Sequence, residues 1–133
     1  ICKWGTDDGD QKMKSRYYPH IDKAKVFGDH YVRDFSEHSR GVAVDVSLLY
    51  AKTGKPVDMG GHHDLLDPSS TTDSTLVTPS QRRNRMILKT AFEKQGFANY
   101  APEWWHYRLL NEPEPTLHYY FPVWDGMTSA GRP

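Results

Sequence analysis

Cysteine is nearly absent from this chain of 133 residues: Cys2 stands alone, which excludes an intrachain disulfide and leaves the redox compartment unassigned. No apolar run approaches the about 20 residues that a membrane-spanning helix needs, so no membrane partner is implied. Charge of either sign is not in excess, since 17 lysines and arginines balance 17 aspartates and glutamates. A balanced chain lacks the basic footprint that nucleic-acid binding requires, and no nucleic-acid partner is expected. Methionine is missing from the start. The chain opens at Ile1, which reads as a processed product, a trimmed product or a fragment, with any upstream leader or anchor out of sight.

What is present is aromatic and histidine-rich. Aromatic residues make up 13% of the chain, four of them Trp, and there are seven His. That composition suits an aromatic core beneath a polar surface and does not suit disorder. The length suits one domain over 1–133 with a single core.

The polar segment 1–16 reads as surface with Trp4 as its anchor, and a mixed stretch of no clear period follows to Val32. After Gly41 the run VAVDVSLLY alternates, Val42, Val44, Val46 and Leu48 on one face and Ala43, Asp45, Ser47 and Leu49 on the other. This predicts a strand packed on a core by its valine face, with Asp45 pointing the other way. Lys52-Thr53-Gly54-Lys55 predicts a turn, and Pro56 to Met59 an antiparallel return. The stretch from His62 to Thr78 has the composition of an unusually long loop, either a binding loop or a mobile surface. Thr78-Pro79-Ser80-Gln81 carries an N-cap, a proline at the first helical position and a capping-box glutamine, so a helix is expected to about Gln95. Ile87, Leu88, Ala91 and Phe92 would form its buried stripe, and the arginine run from Arg82 to Arg85 a solvated face. A second strand is expected over Trp104 to Leu110, a possible edge strand over His118 to Phe121, and a loose tail over 124–133.

Two stretches carry chemistry. Ser36 to Asp45 reads SEHSRGVAVD, and Glu103-Trp104-Trp105-His106 follows some sixty residues later. A catalytic Zn²⁺ takes three protein ligands, commonly imidazole and carboxylate, and leaves a fourth position to water. His38, Asp45 and His106 offer such a set, and Glu103 a base that is not itself a ligand. Residues three apart on a regular strand face opposite ways, so Glu103 can share a site with His106 only from before the strand, where Pro102 favours a bend. Spacing alone leaves each histidine open to a structural role and Glu103 to that of a surface acid. His62-His63-Asp64 is a competing metal cluster, disfavoured because adjacent residues seldom chelate one ion. Trp104 and Trp105 read most simply as core.

At these residues the chain resembles the zinc D-Ala-D-Ala dipeptidases of the VanX type, within the group that joins lysostaphin-like peptidases, D-Ala-D-Ala metallopeptidases and Hedgehog. Ser36, His38, Gly41, Ala43 and Asp45 meet the pattern Ser-x-His-x-x-Gly-x-Ala-x-Asp, and Glu103, Trp105 and His106 meet Glu-x-Trp-His. Further similarity at Tyr17-Tyr18-Pro19, Met59-Gly60, the arginine-rich helix start and Phe121-Pro122-Val123 extends it over 17–123. The resemblance implies an α+β fold with a small antiparallel sheet and flanking helices, zinc on His38, Asp45 and His106, and Glu103 as general base and then acid. It also implies that Asp64 holds the ammonium of a small peptide substrate and that Ser36 assists its binding. The implied reaction is hydrolysis of D-Ala-D-Ala, a cell-wall precursor, with glycopeptide resistance as one setting. The family's N-terminal segment, whose arginine stabilises the oxyanion, has no counterpart here, so the fold is expected without that part; Arg40 is a conceivable substitute or a structural residue. A carboxypeptidase or endopeptidase acting on peptidoglycan stems and a zinc-bearing module of little activity are the alternatives.

Overall fold

The computed structural model describes residues 9–28 and 36–119. Within them the protein is a small α+β structure built on a three-stranded antiparallel sheet, as expected. Two short helices, α1 (Lys14–Tyr17) and α2 (Lys23–Gly28), precede strand β1 (Ala43–Asp45). Helix α3 (Pro79–Glu93), β2 (Phe97–Asn99) and β3 (His106–Leu109) follow, and β3 lies between the other two strands. No helix among the described residues is long and apolar enough to cross a membrane.

The register between β1 and β3 sets Ala43 opposite Arg108, Val44 opposite Tyr107 and Asp45 opposite His106. One face of the sheet meets the core, where Met59, Leu88, Trp104, Trp105 and Tyr107 are buried together and Val46, Leu48, Phe92 and Phe97 pack against them. Trp104 and Trp105 are each 1% exposed and meet edge to face at 5.3 Å, as the core reading of the pair requires. Fully burying one large apolar side chain contributes about 1.5–3 kcal/mol, so these rings weigh heavily in so small a core. A second cluster, Tyr18, Val26 and Leu66, ties the N-terminal helices to the long loop.

The expected turn at Lys52–Lys55 is present: Tyr50 N–H donates to the Lys55 carbonyl at 2.9 Å, Val57 N–H to that of Leu48 at 2.9 Å, and a bridge joins Leu49 to Pro56. Helix α3 starts where its signals place it, with both arms of the Thr78–Gln81 capping box formed. Its faces differ from expectation. Leu88 is buried and Phe92 packs on the core, but Ile87 is 53% exposed and Ala91 is exposed. The place expected for Ile87 is taken by Arg85, which is 0% exposed and thus not part of a solvated run, while Arg82 and Arg83 do face solvent. Strand β1 is also shorter than the alternation suggested, and its faces differ from expectation, with Val44 38% exposed and Ala43 buried. His118 and Tyr119 form no strand; Tyr119 N–H instead donates to the Ser39 carbonyl at 2.8 Å. Trp4, Val32, the remainder of the expected edge strand at Phe121 and the tail fall outside the described residues.

Arg85 explains how a loop without strands holds its shape. Its Nε donates to the Met59 carbonyl at 2.7 Å, and its Nη1 to the Ser69 and Thr71 carbonyls at 2.7 and 2.9 Å. Burial pushes the guanidinium down to about 10, against which Asp58 acts, and it stays cationic at neutral pH. The face of Trp104 lies 5.8 Å from it. Next in the loop, Asp67 caps the turn Pro68–Ser70 by accepting from Ser69 N–H, and its other oxygen meets His20 Nδ1 at 2.6 Å. The long segment is therefore anchored to α3 through Arg85 and to the N-terminal region through His20.

Replacing Arg85 by Ala removes the donors of three backbone carbonyls at about 1–3 kcal/mol each, so urea unfolding is expected to show a loss of about 3–5 kcal/mol. Lysine should recover little of it, since one ammonium cannot reproduce the guanidinium fork. Asp67 supplies a pH dependence. Burial pushes its carboxyl up, but hydrogen bonds from Ser69 and His20 outweigh this and hold it below the usual value. A depressed carboxyl contributes stability above its unfolded pKa, about 3.9, and loses it as pH falls through the folded value. The stability difference between the wild type and Asp67→Asn should therefore be full near pH 6 and shrink below about pH 4.

Candidate metal centre

His38 comes from a tight turn that the sequence builds locally. Ser36 is extended and its hydroxyl accepts from His38 N–H at 3.2 Å, starting the 3-10 turn Glu37–Arg40. Gly41 ends that turn at φ 71°, a left-handed conformation that costs glycine little, and sends the chain into β1. His38 Nδ1 lies 3.1 Å from the Ala43 carbonyl. A carbonyl only accepts, so Nδ1 carries the proton and Nε2 presents a lone pair.

That lone pair meets the other two ligand candidates. His38 Nε2 is 3.3 Å from His106 Nδ1 and 3.5 Å from Asp45 Oδ1, and His106 Nδ1 is 3.2 Å from Asp45 Oδ1. These edges fit one face of a tetrahedron whose corners lie about 2.0–2.1 Å from its centre, the usual reach of imidazole nitrogen and carboxylate oxygen to a transition-metal dication. The donor set fits such an ion. His38 and Asp45 are partly exposed and His106 is 13% exposed, which leaves the outer side of the triangle open. Among the described residues, these three form the group of histidine and carboxylate ligands able to hold a metal.

Glu103 stands where the bend argument placed it, before β3. Trp104 and Trp105 turn over between it and His106, whose N–H donates to the Glu103 carbonyl at 3.2 Å. Its carboxylate, 11% exposed, lies 3.5 Å from His106 Nδ1. Burial pushes the carboxyl up to about 7; the charge of His106 opposes this, and Asp45 and Asp64 add to it. Burial pushes His106 down, but its bond to Asp45 and the charges of Glu103, Asp45 and Glu37 outweigh that and raise it.

The substrate-contact candidates are placed differently. Asp64 is close enough for its charge to act on Glu103, and it holds φ 61°, a left-handed conformation rare outside glycine. It follows His63, whose ring lies over Trp104 and Trp105 at 5.2 and 6.0 Å. Ser36 is seen capping the turn that presents His38. The competing His62-His63-Asp64 cluster does not assemble: both ring nitrogens of His62 face carbonyl oxygens, of His63 at 2.6 Å and Arg16 at 2.8 Å. Arg40 donates twice to Glu112, at 2.7 and 3.0 Å, and is thereby a structural residue rather than a substitute oxyanion donor.

Two neighbours escaped the sequence reading. Glu37 lies 3.8 Å from His106 Nε2, and the Tyr100 ring meets that of His106 edge-on at 5.7 Å. Neither has a motif. Glu37 sits at the free position of Ser-x-His, so only its charge beside a candidate ligand could have drawn notice.

The small α+β scaffold gathers two imidazoles, a carboxylate and a buried second carboxylate, a donor pattern of the kind that metallohydrolase centres use. The chain belongs to the D-Ala-D-Ala dipeptidase family, whose model matches residues 2–124. It is similar to D-alanyl-D-alanine dipeptidases of Streptomyces coelicolor, at 42% identity over 123 residues, and of Enterococcus faecalis and Enterococcus faecium, at 36% each. Each match covers 92% of this chain and 61% of the relative, so the chain spans about three-fifths of the length of these proteins. The family is metal-dependent, in keeping with the donor triangle.

The left-handed backbone at Asp64 separates folding from recognition. Asp64→Ala should cost about 1 kcal/mol of stability in urea unfolding, because a Cβ residue without a local polar side chain is strained there. Asp64→Gly should be as stable as the wild type or slightly more so. Equal losses from both would show that the side chain, not the backbone, holds the loop.

Proposed function

We propose that this chain carries the metal-binding and proton-transfer machinery of a zinc dipeptidase that hydrolyses D-Ala-D-Ala, on a Hedgehog/D-Ala-D-Ala peptidase-like fold formed as one domain over 1–133. The observation that carries the reading is the triangle of His38 Nε2, Asp45 Oδ1 and His106 Nδ1, with edges of 3.2–3.5 Å, beside the buried Glu103 carboxylate. His38, Asp45 and His106 are the zinc ligands, and two nitrogens with one oxygen suit that ion. Zinc in such a site lowers the pKa of water to about 7 and polarises a carbonyl.

The rest falls to the chain's own groups. Glu103 takes a proton from the attacking water and delivers it to the nitrogen of the departing D-alanine, so one carboxylate serves as base and then acid. Its place before β3, off the triangle, keeps its oxygens for the proton. Asp64 receives the ammonium of the dipeptide through a charge-assisted hydrogen bond, about twice as strong as a neutral one. Ser36, fixed at the head of the His38 turn, offers its hydroxyl to the substrate. The partner is a small peptide, and hydrolysis of it belongs to cell-wall precursor chemistry or to resistance based on it.

Release of D-alanine from D-Ala-D-Ala by the zinc-loaded chain, set beside Glu103→Ala, tests the proposal. The variant is expected to keep stoichiometric zinc and to lose about 10²–10⁴ in rate. Turnover that is indifferent to Glu103 would remove it from the mechanism, and tight zinc binding without turnover in either form would favour a zinc-bearing module.

A further inference from the structure

We infer that Glu37 is a positioning residue for this centre: its carboxylate holds the His106 imidazole in the tautomer and orientation that turn Nδ1 toward the metal. The inference rests on the metal reading above and goes beyond it to a residue at the free position of the Ser-x-His pattern.

The argument starts from the imidazole. A neutral ring carries one proton, and whichever nitrogen binds the metal must give it up, so something has to favour protonation of the other. For His38 the Ala43 carbonyl does this, 3.1 Å from Nδ1. For His106 the metal-facing atom is Nδ1, and what faces Nε2 is Glu37 Oε2 at 3.8 Å. At that distance the contact is electrostatic and orienting rather than a closed hydrogen bond. A carboxylate beside the outer nitrogen of a ligand histidine fixes the ring and raises its basicity as a donor.

Glu37 is itself held for this role. Its Oε1 lies 3.6 Å from Arg40 Nη2 and 3.7 Å from Arg108 Nε, so both guanidinium groups draw on one oxygen and leave the other to face His106. Arg40 is fixed by its two bonds to Glu112, and the backbone of Arg108 is held in register opposite Ala43. The two cations also offset the charge that Glu37 brings beside Asp45 and Glu103. The turn that begins at Ser36 therefore supplies one ligand through His38 and the partner of another through Glu37.

The test is zinc affinity, read by competition with a chromogenic chelator on the full chain. Glu37→Ala is expected to weaken zinc binding about 10- to 100-fold. Glu37→Gln should lose nearly as much, because it keeps the side chain's shape but removes the charge on which a 3.8 Å contact depends. Urea unfolding of the metal-free Glu37→Ala protein should stay close to wild type, separating lost affinity from lost structure. In a His106→Ala background, Glu37→Ala should cause no further loss, since Glu37 acts through that ring. Wild-type affinity in Glu37→Ala, or an undiminished loss in the His106→Ala background, would overturn the inference while leaving the metal reading intact. Should Glu37→Ala fail to fold, wild-type affinity in Glu37→Gln would overturn it. A wild-type chain that takes up no zinc would sink the metal reading and this inference with it.

Discussion

The pairing of Asp45 with His106 across β1 and β3 is the constraint on which the centre depends. Side chains alternate with a period of two, so a slip of one residue would send the two ligands to opposite faces of the sheet. The register is held by the core beneath it. Tyr107, opposite Val44, is 0% exposed and lies against Phe92, with ring centroids 4.6 Å apart. Moving Tyr107 to the solvent face would forfeit that burial, and so the core decides where the candidate metal ligands stand. His38 then needs no strand: it arrives at the same point from a turn closed by Ser36 and Gly41.

Much of this was legible in the residues because it is local. The capping box at Thr78 and Gln81, the turn around Gly54 and the bend before β3 each follow from the chemistry of a few adjacent residues, and each formed. The alternation in VAVDVSLLY left Asp45 exposed as expected but failed at its neighbours, since Ala43 is buried and Val44 is 38% exposed, and it overstated a strand that stops after three residues. The gathering of His38, Asp45 and His106 was suggested by spacing and made specific by the family pattern. Neither could supply the edge lengths that fit a tetrahedral ion.

What was not legible depends on partners distant in sequence. Arg85 read as one of a run of solvated arginines. Its burial follows from three carbonyls of a loop 14 to 26 residues away, and no local signal marks a guanidinium as the hub of such a loop. Ile87 read as core from its period, yet the sheet meets the helix on the side of Leu88 and Phe92, which leaves Ile87 outside. Glu37 belongs to the same class, since its contacts with His106 and Arg108 exist only after the turn and the strand have docked.

The charges around the centre give the arrangement its direction. Asp45, Glu103, Glu37 and Asp64 bring four carboxylates near the His106 ring or one another, while Arg40 and Arg108 are engaged with Glu37 on its outer side. Two imidazole nitrogens facing one another at 3.3 Å, both beside one carboxylate oxygen, are poorly satisfied unless a proton or a cation lies between them. A dication relieves this repulsion more fully than one proton can, and it does so without occupying Glu103. Binding of the metal is then coupled to the stability of the sheet that presents its ligands. The groups that make the empty centre unfavourable are those that would make the loaded one selective for a small, doubly charged ion. The same groups surround Glu103, buried beside the ring, where burial and the charges of Asp45 and Asp64 raise its carboxyl and the charge of His106 opposes them.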